Sequence, residues 1–101
     1  MELLIITAVQ SFEKDVKKLL KENGVKVYSH MDVTGFKDLS DEAQNANWFA
    51  SDSGEHRSAL FYAFVEEAFV DKVLKAIEVL NSTQETSSYV HAAVLNIKKS
   101  V

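Results

Sequence analysis

Residues 57–65 read RSALFYAFV, and this stretch decides the fold. A short run rich in aromatic and aliphatic residues is typical of a strand, whose successive side chains point to opposite faces of a sheet. Apolar residues then occupy both faces, with Leu60, Tyr62 and Phe64 on one and Ala59, Phe61, Ala63 and Val65 on the other. The sequence therefore predicts a strand that must be covered on both sides.

Strands and helices alternate around this run. Residues 2–9 (ELLIITAV) form another apolar strand, and residues 26–36 alternate as a strand. Residues 89–97 form the last strand, which like residues 57–65 is apolar on both faces. Apolar residues recur at helical spacing after the first strand and again over residues 69–80, and residues 81–87 are predicted to form a polar loop before the last strand. We expect Ser11 to cap the first helix with its hydroxyl, and Asn23-Gly24 to end it.

The predicted order is β-α-β, a long loop, and β-α-β. Two such halves in one antiparallel sheet give an α+β, ferredoxin-like βαββαβ sandwich, with both helices on one face. The 101 residues suffice for a single domain, 1–101. Because two of the strands are apolar on both faces, we expect the helix-free face to be covered by other copies of the chain.

Composition excludes several classes of function. Cysteine is absent, which rules out disulfides, thiolate metal sites and cysteine nucleophiles. The net charge is −4 and Arg57 is the one arginine, so nucleic acid is not an expected partner. No signal peptide or membrane-spanning run is recognisable, and a cytoplasmic location is expected by default. No nucleophile has an evident base beside it, so we do not expect an enzyme.

The polar, acidic segment 37–56 is unusually long for a connection in a small domain, and such loops are often functional. Trp48 and Phe49 lie in its middle. These aromatics either anchor the loop to a neighbouring subunit or contact a partner or ligand.

Three stretches resemble the PII-like superfamily of trimeric signalling proteins. Val33-Thr34-Gly35-Phe36 resembles the turn that ends the second strand of PII proteins and enters their T-loop. Residues 37–56 take the place of the T-loop, and residues 65–77 are similar to the passage from the third strand into the second helix. CutA proteins are related in fold.

The resemblance implies a homotrimer whose sheets line its interior. A small effector would bind in clefts between subunits, and the T-loop would dock onto a partner such as a membrane transporter or an enzyme. The ligand-binding positions that correspond are Val33, Thr34, Gly35, Phe36, Lys37, Arg57 and Ser88.

Two departures from the family pattern concern nucleotide binding. No tyrosine lies between Phe36 and Arg57, so the modified tyrosine of the classical T-loop is missing. Residues 82–87 contain neither glycine nor a basic residue, although phosphate recognition needs such donors. We therefore expect ATP binding of the classical kind to be weak or absent, and the effector's identity stays open.

Two alternatives stay open beside a regulator. His30 and Asp32 share a strand face, and with His91 they could hold Cu²⁺ or Zn²⁺ in a CutA-like trimeric metal-binding protein. The simpler interpretation makes these histidines hydrogen-bonded interface residues. The other alternative is a subunit that only mediates assembly.

Overall fold

A computed structural model describes residues 1–36, 55–84 and 89–101, and of residues 55 and 56 the backbone alone. The first half contains strand β1 (Glu2–Val9), a 3₁₀ turn (Gln10–Phe12), helix α1 (Glu13–Glu22) and strand β2 (Ser29–Phe36). The second half contains strand β3 (Glu55–Val65), helix α2 (Glu67–Ser82) and strand β4 (His91–Asn96). Neither helix in these ranges has the length and hydropathy that a membrane span needs.

The four strands form one antiparallel sheet in the order β2-β3-β1-β4. β1 is a central strand, because it pairs along nearly its whole length with β3 on one side and β4 on the other. This order and the alternation of elements confirm the predicted ferredoxin-like sandwich.

The core lies between the sheet and the two helices. Leu4 and Ile6 of β1 pair with Ala63 and Phe61 of β3, and all four side chains are buried on the helix-covered side. The helices bury one stripe each against this layer, with Val16, Leu19 and Leu20 from α1 and Val70, Val73 and Ile77 from α2. The predicted division of β3 into two apolar faces is confirmed, since Phe61 is 1% exposed.

The opposite side of the sheet, called here the open face, is also apolar. Its apolar residues follow from the strand register, and they are Leu3, Ile5, Val9, Met31, Val33, Leu60, Tyr62, Phe64, Ala93 and Leu95. The same face also carries Thr7, Ser29, Ser58 and His91. Phe64 is 59% exposed, Met31 47% and Leu95 46%. A sheet with one face packed on helices normally presents polar side chains on the other, so this face has the composition of an interface.

Three local predictions need correction. Ser11 does not cap α1, because it lies inside the 3₁₀ turn and no side chain caps either helical segment. β2 begins at Ser29 rather than at residue 26, since pairing with β3 stops at Ser29↔Tyr62 and Val27 is 83% exposed. α2 continues to Ser82, so Asn81 belongs to the helix and not to a loop.

Gly24 ends α1 as predicted, with a backbone φ of +86°. The amides of Asn23, Gly24 and Val25 bond the last carbonyls of the helix. Phe69 of α2 packs directly over Gly24, where a Cβ would lie 2.7 Å from its ring atoms Cδ1 and Cε1. Glycine is therefore required here both by the left-handed backbone and by the approach of the second helix.

Replacement of Gly24 by Ala should lower the free energy of unfolding by about 1–3 kcal/mol, from backbone strain and the Phe69 clash together. Denaturant unfolding measures the change. In a Phe69→Ala background, the loss of unfolding free energy caused by Gly24→Ala should be smaller, because only the backbone strain remains. An equal cost in both backgrounds would contradict the role of the ring.

Candidate effector site where β2 meets β3

The predicted ligand-binding residues of the second strand lie at the end of the β2–β3 pair. Val33 stands opposite Ser58, and Thr34 stands opposite Arg57. Directly opposed residues of antiparallel strands have Cβ atoms about 5 Å apart on the same face. The fold thus brings Thr34 and Arg57, which are distant in sequence, to one place on the helix-covered side of the sheet.

Exposure at this strand end is suited to binding. Thr34 and Arg57 are exposed, Phe36 is 72% exposed, Val33 is half-buried and Gly35 is buried. A hydroxyl, a guanidinium and an aromatic ring are therefore available to solvent within one short stretch. Together they can hold an anionic group by charge-assisted hydrogen bonds and contact a flat apolar body.

The other predicted site residues fall outside the described ranges. Lys37 and Ser88 are among them, and so are Trp48 and Phe49 of the proposed partner-binding loop. Their roles stay predictions.

Asn81 is a residue that sequence reasoning missed. Its Nδ2 donates to the Val90 carbonyl at 2.9 Å, and its Oδ1 accepts from the Val90 amide at 2.9 Å. This pair of hydrogen bonds ties the end of α2 to the residue before β4, and so fixes both ends of the loop that the resemblance assigns to the ligand cleft. The available signal was an asparagine directly after the apolar stripe of a helix, and it was interpreted as the start of a loop.

Ser58 is the second missed residue. It is 1% exposed, and its Oγ has no hydrogen-bond partner among the described residues. A buried hydroxyl without a partner is costly. Ser58 adjoins the candidate site, because it lies opposite Val33 and next to Arg57. The signal in the sequence was a serine between Arg57 and the apolar run of residues 59–65.

The histidines proposed as metal ligands are not brought together within one chain. His30 lies on β2 on the helix-covered side, whereas His91 lies on β4 on the open face. These are the two outer strands, about 14 Å apart across the sheet. No group of three or more potential ligands occurs in the described part of the chain.

His30 has a different environment from the one predicted. Its Nε2 lies 3.6 Å from Oε1 of Glu13, and Nζ of Lys17 lies 3.6 Å from the same oxygen. The ring also meets Phe61 edge-on, with centroids 5.5 Å apart. The Glu13 carboxylate of α1 thus lies close to the edge strand β2, which favours a structural role for His30 over a metal-binding one.

His91 stands opposite Thr7 on the open face. Desolvation by partial burial lowers the pKa of its imidazole below the ordinary value. At neutral pH the residue is therefore uncharged, as suits an apolar surface.

Comparison with solved structures supports the same fold. A nitrogen regulatory PII-like protein from Thiomonas intermedia K12, CPII, solved with ADP, AMP and bicarbonate, superposes with a TM-score of 0.63 at 17% identity. The match covers 99% of this chain and 94% of that chain. A DUF3240 family protein from Shewanella baltica OS155 gives 0.67 at 16% identity, over 99% and 92% of the two chains. No family model matches the sequence, and no curated protein matches it either.

These likenesses span the whole domain and confirm the expectation of a PII-like ferredoxin-like fold. At such identities they establish the fold alone, and the function has to be argued from the residues of this chain.

The lowered pKa of His91 predicts a pH dependence of stability. The unfolded chain binds the proton more readily than the folded chain, so stability is retained above pH 6.5 and falls as the pH drops through that value. Thermal unfolding between about pH 7.5 and 5.5 should show this loss, and His91→Gln should reduce it. His30→Gln serves as the matched control. An identical pH profile for wild type and His91→Gln would contradict the prediction.

Proposed function

We propose that this chain is a non-enzymatic, PII-like regulatory protein. It assembles as a homotrimer through the open face, binds a small effector in clefts between subunits, and regulates a partner protein such as a membrane transporter. The observation that carries the proposal is an apolar, exposed sheet face on a fold whose solved neighbours include a PII-like regulator.

Assembly is supported by the amount and position of exposed apolar surface. Phe64 of β3 and Leu95 of β4 both lie opposite Leu3 of β1, so the three form one continuous apolar row. Burial of apolar surface stabilises by about 25 cal/mol per Å². A second and third copy of the same face would bury this row without leaving charges unpaired, since the open-face positions of β1, β3 and β4 hold no Asp, Glu, Lys or Arg.

Effector binding is supported by three exposed side chains at the end of β2 and the start of β3. Arg57 supplies a fixed positive charge, Thr34 a hydroxyl and Phe36 a ring. A cleft closed by a neighbouring subunit would exclude water from these groups and strengthen their contacts with an anion. The CPII structure was solved with ADP, AMP and bicarbonate, and these define the first ligands to test here.

Partner regulation is proposed to act through the segment 37–56, with Trp48 and Phe49 as the contact residues. The segment joins β2 to β3 directly beside the candidate effector site. An effector that contacts Phe36 or Arg57 therefore contacts residues at the two ends of the segment, which gives ligand binding a direct route to the partner surface.

The assembly should be sensitive to a charge on the open face. Phe64→Asp should convert the trimer to monomers or smaller species at micromolar concentration, because an unpaired carboxylate would be buried in the interface. Sedimentation equilibrium measures the mass. Val79→Asp is the matched control, since Val79 is 62% exposed on α2 and away from the open face. A monomeric wild type, or equal loss of mass in both variants, would contradict the proposed interface.

The effector site should respond to ligand in a thermal-shift screen of ADP, AMP, ATP with Mg²⁺, bicarbonate and divalent metal ions. A ligand that binds only the folded state raises the melting temperature, and we expect such a rise for a ligand other than ATP. Arg57→Gln should abolish the rise, whereas Lys75→Gln, an exposed change on α2, should retain it. An assembled protein that no ligand stabilises would favour the interpretation as an assembly subunit. A metal that stabilises through His30 or His91 would favour the metal-binding one.

A further inference from the structure

A lysine-lined groove lies on the outer surface of the domain, along the second half of α1 and the chain that leads into β2. It encloses about 750 Å³ and is lined by Lys17, Lys18, Lys21, Val25, Lys26 and Tyr28. Its floor is apolar, because Val25 is 4% exposed and the Tyr28 ring packs on Phe61 with centroids 5.9 Å apart. The rim is made of exposed lysine side chains.

The positive charge of this groove is only partly balanced by the acidic residues that the structure describes. Lys17 pairs with Glu13 at 3.6 Å and Lys18 with Glu22 at 3.9 Å. Lys21 and Lys26 form no ion pair with any acidic residue that the structure describes. In a chain with a net charge of −4, two unpaired ammonium groups beside two paired ones make a local positive field. The C-terminal helix dipole accounts for a lysine in the last turn of α1, but Lys26 lies beyond the helix.

The chemistry of the groove favours an extended anion over a compact phosphate. Phosphate sites commonly use free amides at a helix N-terminus. This groove lies at the carbonyl end of α1, where the amides of Asn23, Gly24 and Val25 are already bonded to the helix. The lysines also lie on more than one turn of α1 and on the chain beyond it. Several carboxylates along a peptide would match that spacing, and an apolar side chain between them would match the floor.

The groove is separate from both surfaces used by the proposed function. It lies on the helix-covered side and not on the open face, so assembly through the sheet leaves it accessible. The candidate effector site is at the other end of β2. Tyr28 and Phe36 are eight residues apart, which corresponds to about 26 Å along a strand.

We propose that this groove is a docking site for an acidic segment of a partner protein, in which carboxylates pair with Lys21 and Lys26 and one apolar side chain packs on Val25 and Tyr28. The site needs a single folded chain and does not depend on trimerisation or on effector binding. It would give the domain a partner-binding surface in addition to the segment 37–56.

Fluorescence anisotropy with a defined probe tests the proposal. The probe is a short fluorescein-labelled peptide of Asp and Glu residues around one Trp, and the full-length protein is titrated into it. We expect micromolar binding that weakens as salt is raised from about 0.05 to 0.5 M. The double variant Lys21→Glu/Lys26→Glu should weaken binding by about tenfold or more. The matched control, Lys98→Glu/Lys99→Glu, makes the same charge change at exposed positions that follow β4, on the opposite edge of the sheet from β2, and should bind as wild type does.

Three results would overturn the proposal. Equal losses in the two double variants would show that the peptide responds to net charge alone. Undiminished binding of the same acidic peptide without Trp, together with full displacement by tripolyphosphate, would indicate a site for small anions. A dependence of the protein's own mass on Lys21 and Lys26, measured by sedimentation, would assign the groove to a second copy of this chain. Circular dichroism confirms that each variant is folded, and the open-face variant Phe64→Asp should still bind the peptide.

Discussion

The pairing of β1 with two neighbours at once is the constraint on which the rest of the structure depends. Its register with β3 sets Leu4 and Ile6 beside Ala63 and Phe61, and its register with β4 extends the same layer outward. A shift of either register by one residue would turn the buried set toward the open face. The core, the open face and the edge position of β2 are consequences of this central strand.

The two sides of the sheet differ in what covers them. On one side the helices complete a core that a single chain can bury, and they carry polar surfaces outward, including the lysine-lined groove on α1. On the other side the chain presents apolar residues that it does not bury alone. The end of β2 and the start of β3 meet at one edge of the sheet. Arg57 lies there on the helix-covered side, next to the long connection between the two strands. A ligand bound at that edge would contact structural elements that belong to both sides.

The larger features were predictable because they rest on periodicity. Alternation of residues separated Leu60, Tyr62 and Phe64 from Phe61, and helical spacing located both helices. These patterns are readable because one side of each helix faces the core along its whole length, and each face of a strand has a constant environment. The opposition of Thr34 and Arg57 was not predicted, because it depends on the register of β2 with β3. Features that depend on tertiary contacts were missed. Ser11 lies within a 3₁₀ turn that follows β1 directly, and the role of Asn81 depends on Val90, nine residues away. The separation of His30 from His91 required the strand order, which no local pattern contains.

The double hydrogen bond between Asn81 and Val90 also has an evolutionary consequence. It sets the entry to β4 from the end of α2, independently of the residues that connect them. Because the entropy of loop closure rises slowly with length, substitutions and insertions between these two points can accumulate at small cost to stability. The connecting segment, which the proposed function places at the ligand cleft, can thus change through mutation while the strand keeps its place in the sheet. One side-chain amide would in this way allow related domains to acquire different effectors on an unchanged scaffold.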